Sequence, residues 1–233
     1  WRKKAVALSG IRLGDRVLDI CAGTGELAFA LLPAVGAKGS ITATDFCENM
    51  LEIARRKKGD NHANVTFHVA DAKSLPFRDG TFDAVINMFS SFGYFESAED
   101  DRRVLGGIAR CLRPRGKFLM ERFNRESLAY ELPLQGWRVG EDGSVVLQEA
   151  TFDVLRGRYD TRQIVIDRAG TREHRGSVRA YTLPELKEML DAAGLHIHRV
   201  LGGLDLSAYR ARSRRLVVYA VKGLEPESIR TVW

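Results

Sequence analysis

Val17-Leu18-Asp19-Ile20-Cys21-Ala22-Gly23-Thr24-Gly25-Glu26 is the stretch on which the reading of this chain turns. Apolar residues run into glycines, and a helical pattern begins directly behind them. That order predicts a buried strand over 16–21 and a helix over 25–35. Glycines let the backbone turn tightly and pass close to a ligand, and the helix start behind them offers free N–H groups. Further along, a second strand over 40–45 ends in Asp45. A third over 65–70 is followed by Asp71-Ala72. Three strand ends thus bring Asp19, Asp45 and Asp71 to the C-terminal edge of a parallel sheet, where such sheets bind ligands.

The remaining pattern extends that sheet. A helix is expected over 48–58, with Met50, Leu51 and Ala54 on one face, then a fourth strand over 82–87. A helix over 98–112 stops at Pro114 and Gly116, and a fifth strand covers 117–122. Alternating βα units of this kind give an α/β fold with helices on both faces of the sheet. From Ser144 to Tyr181 the pattern changes. Three β-rich stretches, 145–152, 158–166 and 171–181, are separated by turn signals at Arg156-Gly157 and Ala169-Gly170, which predicts an antiparallel meander. Thr182, Pro184 and Glu185 then open a capped helix that ends at Ala193-Gly194. Two last strands are expected over 195–200 and 215–221. The chain therefore reads as one domain over 1–233, a doubly wound, mostly parallel, seven-stranded sheet carrying a small antiparallel β insert or lid over 124–181.

Composition agrees with one α/β core. The chain has 233 residues, 45% of them hydrophobic and 28% charged, which is ordinary for a globular protein. No stretch approaches the roughly 18 consecutive apolar residues of a membrane span. Trp1-Arg2-Lys3-Lys4 is basic, but the apolar run after it is too short for a signal peptide. The net charge of +6 permits an acidic or nucleic-acid partner without demanding one. Cys21, Cys47 and Cys111 form no C-x-x-C pair and have no zinc-like spacing to histidine. No metal is expected, and the reducing cytoplasm is the expected compartment.

Two ligand classes fit the glycine loop. Gly23, Gly25 and Ala28 satisfy the dinucleotide pattern, with Asp45 at a suitable distance. Asp19 argues against it, because its charge would face a pyrophosphate at close range. Beside a sulfonium or an amine the same charge is favourable. Asp45 can accept two ribose hydroxyls, and Asp71 can take the exocyclic amine of an adenine.

Val-Leu-Asp-Ile-Cys-Ala-Gly-Thr-Gly (17–25), Ile-Thr-Ala-Thr-Asp (41–45), Ala-Asp-Ala-Lys-Ser-Leu-Pro-Phe (70–77), Gly-Thr-Phe-Asp-Ala-Val (80–85) and Leu-Arg-Pro-Arg-Gly-Lys-Phe-Leu (112–119) together resemble the class I S-adenosylmethionine-dependent methyltransferases over residues 11–122. The part before Phe82 is most similar to the ubiquinone/menaquinone-biosynthesis C-methyltransferases. The loop from Asn87 to Phe95 and the insert look more like small-molecule N- and O-methyltransferases. The resemblance implies S-adenosylmethionine as cofactor. It places Cys21, Ala22, Gly23, Thr24 and Gly25 along the methionine part and Asp19 on its amino group. Asp45 falls on the ribose, Phe46 against the adenine, Asp71 and Ala72 at the adenine edge, and Asn87 facing the methionine part. Met50, on the following helix, joins the cofactor residues.

A small-molecule methyl acceptor is the expected partner, bound by Ser91, Tyr94, Trp137, Arg179 and Tyr181. No catalytic base is evident. Arg179 and Tyr181 stand where the insert rejoins the main sheet, and Trp137 falls in a Pro133–Gly136 turn region suited to a gate. Cys21 reads as a small residue beside the loop rather than a nucleophile. His196 and His198 alternate with Leu195 and Ile197 and are expected on one solvated face. The alternatives are a quinone-biosynthesis C-methyltransferase, an RNA methyltransferase and a non-catalytic adenosyl-ligand binder. Nucleic acid is not expected, since basic and acidic residues are mixed and no Asn-Pro-Pro-Tyr type motif follows the fourth strand. A homodimer through the exposed insert is the rival to the lid.

Overall fold

The computed structural model describes residues 1–59 and 62–226, and the backbone of 230–231. The large sheet is assembled in the order of its pairing. β1 (Arg16–Ile20) lies at its centre, with parallel neighbours β2 (Ser40–Asp45) on one side and β4 (Phe82–Asn87) on the other. β3 (Val65–Val69) extends the sheet beyond β2, and β5 (Leu112–Phe123) beyond β4, both parallel. β11 (Arg215–Lys222) then pairs antiparallel with both β5 and β10 (Leu195–Leu201). The seven strands expected are joined by a two-residue β12 (Arg230–Thr231) at the β10 edge. The chain leaves β1 in one direction through β2 and β3 and returns in the other through β4 and β5. The crevice between β1 and β4 is therefore the switch point at which doubly wound sheets hold ligands.

Period-two alternation distributes the core between the two faces. Leu18, Ile20, Val85, Phe118 and Met120 pack on one face under α4 (Ala98–Cys111) and α6 (Leu183–Ala192). Val17, Ile41, Ala84, Ile86 and Leu119 pack on the other with α1 (Arg2–Leu8), α2 (Glu26–Val35) and α3 (Glu48–Lys58). The cap foreseen for α6 is present: Thr182 Oγ1 accepts from the Glu185 amide and the Glu185 carboxylate accepts from the Thr182 amide. α1 was not foreseen, since only Ala5 in it is fully buried. Leu51 and Ala54 face the core as expected. Met50 does not; it is exposed, one position round the helix from Leu51.

The insert is larger than its pattern announced. α5 (Arg125–Glu131) precedes four strands, β6 (Leu134–Val139), β7 (Val145–Asp153), β8 (Arg158–Asp167) and β9 (Gly170–Arg179), paired antiparallel in that order. The Pro133–Gly136 region is thus the start of a strand rather than a hinge. β6 has no buried residue, so no hydrophobic alternation marked it. Its pairing from Leu134↔Ala150 to Val139↔Val145 makes it a strand.

Candidate active site

The glycine loop gets its shape from alternating backbone hands. Cys21, Gly23 and Gly25 all have positive φ, at 58°, 54° and 76°, while Ala22 and Thr24 do not. Such alternation turns successive N–H groups toward one side and makes a concave nest. The two glycines serve different ends. A Cβ on Gly23 would stand in open space, whereas one on Gly25 would meet Phe67 at 2.9 Å and Ala54 at 3.0 Å. Gly25 is therefore a packing residue at the N-cap of α2 and does not line the cleft. Cys21 holds its left-handed conformation without the freedom of glycine, a strain that recurs at functional sites.

Asp45 ties the loop to the second strand. Its Oδ2 accepts from the Gly23 amide at 2.8 Å and its Oδ1 from the Cys47 amide at 2.9 Å. Each oxygen keeps a lone pair for a further donor. Asp71 is arranged alike, Oδ1 accepting from the Lys73 amide at 2.9 Å. Asn87 donates from Nδ2 to the Ile20 carbonyl at 3.3 Å. Its Oδ1 is buried and has no partner among the described residues.

Asp19 is 2% exposed, and its Oδ2 has no partner among the described residues. Burial, and then the charge of Asp45, push its pKa up to about 8. An unpartnered buried carboxylate is costly, and a cation beside it removes the cost. The Cys21 thiol is likewise pushed up to about 12 by desolvation and the Asp45 charge. It stays protonated near neutrality and is a poor nucleophile.

These groups border two adjoining cavities that share Cys21 and Phe89. The larger, about 570 Å³, is lined by Cys21, Asp45, Phe46, Asp71, Ala72, Asn87, Ser91 and Tyr94, among others. The smaller, about 400 Å³, is lined by Asp19, Ala22, Gly23 and Thr24 together with Trp1, Arg2, Met88 and Phe89. The expected cofactor residues are thus brought together, apart from Met50 and Gly25. Arg2 and Trp1 were not foreseen here: the basic start of the chain counted toward the family resemblance and against a targeting signal, and neither reading put it at a cavity. Arg2 reaches Glu26 at 3.6 Å, and its Nε is buried without a partner among the described residues. The Trp1 ring meets Phe89 edge-on, 3.9 Å between centroids.

The loop after β4 is held in an unfavourable shape. Phe89 and Ser90 both have positive φ. Buried Glu121 fixes them: its Oε2 accepts from the Phe89 amide at 2.8 Å, and its main-chain oxygen from the Ser90 amide at 3.1 Å. Arg215 pairs with the same carboxylate, and Ser90 Oγ accepts from the Phe123 amide at 2.7 Å. Strain of this kind persists only where the surroundings over-determine it. Here they do, and the loop presents Ser91, Phe92, Tyr94 and Phe95 to the larger cavity.

Three expected acceptor residues stand elsewhere. Trp137 is 72% exposed on β6, far along the outer face of the insert, and lines neither cavity. Tyr181 is buried behind the wall, its hydroxyl on Asp101 at 2.7 Å and its ring against Phe92. Arg179 points at main chain, donating to the Glu96 carbonyl at 2.7 Å. Among the described residues, none from 124–181 lines either cavity. The insert meets the loop after β4 through contacts with its main chain instead. The Arg179 amide donates to the Gly93 carbonyl at 2.7 Å, and buried Arg158 donates to the Phe95 carbonyl at 3.2 Å. His196 and His198 are half-buried and occupied, by Asp191 and by the Leu224 carbonyl.

Known proteins agree with this geometry. Residues 17–116 match the family model described as a methyltransferase domain. The chain is 34% identical over 127 residues to the ubiquinone/menaquinone biosynthesis C-methyltransferase UbiE of Francisella philomiragia, covering 54% of this chain and 49% of that protein. It therefore spans about half the length of the curated relatives it matches. The CcbJ methyltransferase of Streptomyces caelestis superposes with a TM-score of 0.83 at 21% identity, over 96% of this chain and 89% of its own. The sugar N-methyltransferase KedS8 of Streptoalloteichus superposes with 0.67 at 21% identity, over 95% and 85%. The fold is the one these methyltransferases share, and the stretch that matches the methyltransferase-domain model, 17–116, holds most of the residues lining the two cavities.

Proposed function

We propose that this protein binds S-adenosylmethionine across the two cavities and transfers its methyl group to a small molecule. The observation that carries the reading is Asp19, a buried carboxyl with an unpartnered oxygen that lines the same cavity as the glycine loop. That donor set fits a ligand that is cationic at one end and an adenosine at the other. Asp19 takes the ammonium. Arg2, with its free Nε, takes the carboxylate. Asp45 takes the ribose hydroxyls, Asp71 and Ala72 the adenine edge, and exposed Phe46 the adenine face.

The sulfonium makes the S–CH₃ bond easy to break. When bound, the donor would supply a methyl group to an acceptor N, O or C and would leave as a neutral thioether, with the acceptor's proton passing to a base or to water. The chain's own contribution is alignment, which can supply much of the rate, and exclusion of water by the aromatic wall at Phe89, Phe92 and Tyr94. Ser91 and Tyr94 remain the acceptor contacts of this reading. The sugar N-methyltransferase likeness favours an amine over a quinone carbon.

In this reading 1–233 work as one unit, and the insert braces the acceptor loop rather than covering it. Its exposed Trp137, Val139 and Leu147 suit association with a second copy. Three unpaired cysteines suit a reducing cytoplasm. Calorimetry with S-adenosylmethionine tests donor binding. Tritiated-methyl transfer to fractionated metabolite and RNA extracts tests the acceptor class. Label on RNA alone would overturn the small-molecule reading, and binding without transfer would leave a non-catalytic binder.

A further inference from the structure

The larger cavity ends on a polar group that the donor does not need. Asp101, in the first turn of α4, lines it beside Phe92, Phe95 and Val104, yet the residue is 0% exposed. Its two oxygens differ. Oδ2 accepts the Tyr181 hydroxyl at 2.7 Å. Oδ1 is buried and has no partner among the described residues.

No surrounding guanidinium reaches Oδ1, although Arg122 Nε and Nη1 and Arg179 Nε are themselves buried without a partner among the described residues. Arg158 donates from Nε to Ser177 Oγ at 2.7 Å, and through its other nitrogens to the Ser177 and Phe95 carbonyls. Arg179 donates to the Glu96 and Arg156 carbonyls. Arg122 donates from Nη2 to the Arg179 carbonyl, and its guanidinium lies 5.4–5.9 Å from the centroids of Tyr181 and Phe92. Burial pushes the Asp101 pKa up, and the Tyr181 hydrogen bond and the three guanidinium charges offset this only in part; none of the three makes a hydrogen bond to Oδ1. A buried acceptor atom left unpaired is expensive, and this one belongs to a residue in the wall of a cavity of about 570 Å³.

We propose that Asp101 Oδ1 is the specificity group of the acceptor site and receives a hydrogen bond from an O–H or N–H at the inner end of the acceptor. This rests on the methyltransferase reading above and adds to it the chemistry of the substrate. The acceptor is a compact molecule with an apolar flank, seated between Phe92 and Phe95, and a hydroxyl or amine hydrogen presented to Asp101. Tyr181 is then a positioning residue, fixing the carboxyl through Oδ2 so that Oδ1 faces inward.

The test uses saturation-transfer NMR on the full chain loaded with S-adenosylhomocysteine, and probes of one shape: cyclohexanol, cyclohexylammonium, cyclohexanone and methylcyclohexane. Wild type is expected to bind cyclohexanol, and cyclohexylammonium too if the natural group is an amine, at least tenfold more tightly than the ketone or the hydrocarbon. Asp101→Asn places an N–H where the free oxygen stands. It is expected to lose the wild-type preference for the hydrogen-donating probes and to gain cyclohexanone, an inversion that misfolding cannot produce. Tyr181→Phe is expected to blunt the preference in an otherwise folded protein. Equal binding of all four probes, or binding of none, would overturn the proposal. So would an Asp101→Asn variant whose affinity for S-adenosylhomocysteine falls more than about threefold, since Asp101 would then serve the adenine. Failure of wild type to bind S-adenosylhomocysteine at all would instead remove the methyltransferase reading on which the proposal stands.

Discussion

Two aspartates at the cleft have similar chemistry and opposite settings. Asp45 receives two backbone amides and is open to solvent on one side. Asp45→Ala is expected to weaken donor binding by about 1–3 kcal/mol, the range for hydrogen bonds to a charged group; calorimetry that finds unchanged affinity would remove the ribose assignment. Asp19 is buried, and its pKa of about 8 gives binding a pH dependence of definite sign. Below that value the carboxyl is mostly neutral and offers little to a cation. Above it the carboxylate is present. A bound cation lowers the pKa, so binding near neutrality should release a proton. Donor affinity should therefore rise with pH toward about 8 and then level. The contribution of Asp19 is the difference between wild type and Asp19→Asn, measured in buffers of different ionisation enthalpy. A proton release identical in the two proteins would count against it.

Elements differ in how plainly the sequence announces them. β1 and β4 are buried on both faces and read as largely apolar runs, and the α6 cap is written in three residues. The placing of Asp19, Asp45, Asp71 and Asn87 along one cleft was legible because they sit at strand ends, where topology alone fixes position. The acceptor side was not. Tyr181 and Arg179 were sought as ligands because they lie near the sheet, but their side chains turn to Asp101 and to the Glu96 carbonyl, a choice made by packing partners some 80 residues away. Arg2 was missed because nothing in a short basic helix says which cavity it borders. Arg158 shows what the insert does at this scale. It is 2% exposed and makes its hydrogen bonds to Ser177 and the acceptor loop. Arg158→Met should cost about 2–4 kcal/mol, the range for breaking up a buried charged network, read by urea denaturation. In the folded fraction it should slow methyl transfer while leaving donor affinity within twofold. Equal loss of both would make Arg158 a general scaffold residue.

At the scale of the whole molecule, both cavities are walled by residues between Trp1 and Val104, whereas the insert presents its apolar outer side chains to solvent. Trp137, Val139 and Leu147 share one face of β6 and β7, since Trp137 pairs with Leu147 and Val139 with Val145. Trp137→Arg is expected to lower the sedimentation coefficient at high protein concentration without changing donor affinity. A wild type that sediments as a monomer throughout would end the association reading. At the join between the two parts the Arg179 amide donates to the Gly93 carbonyl, beside the side-chain bonds of Arg158 and Arg179 to the same loop. A Cβ on Gly93, whose φ is 104°, would come within 2.5 Å of the Arg179 oxygen, so no other residue allows the two chains so near. This join makes the Arg179 amide a clock. Its proton can exchange with solvent only when the acceptor loop lifts from the insert, so its exchange rate reports the free energy of that opening. A ligand that holds the loop down must slow that one amide, while amides at the far end of β9 keep their own pace.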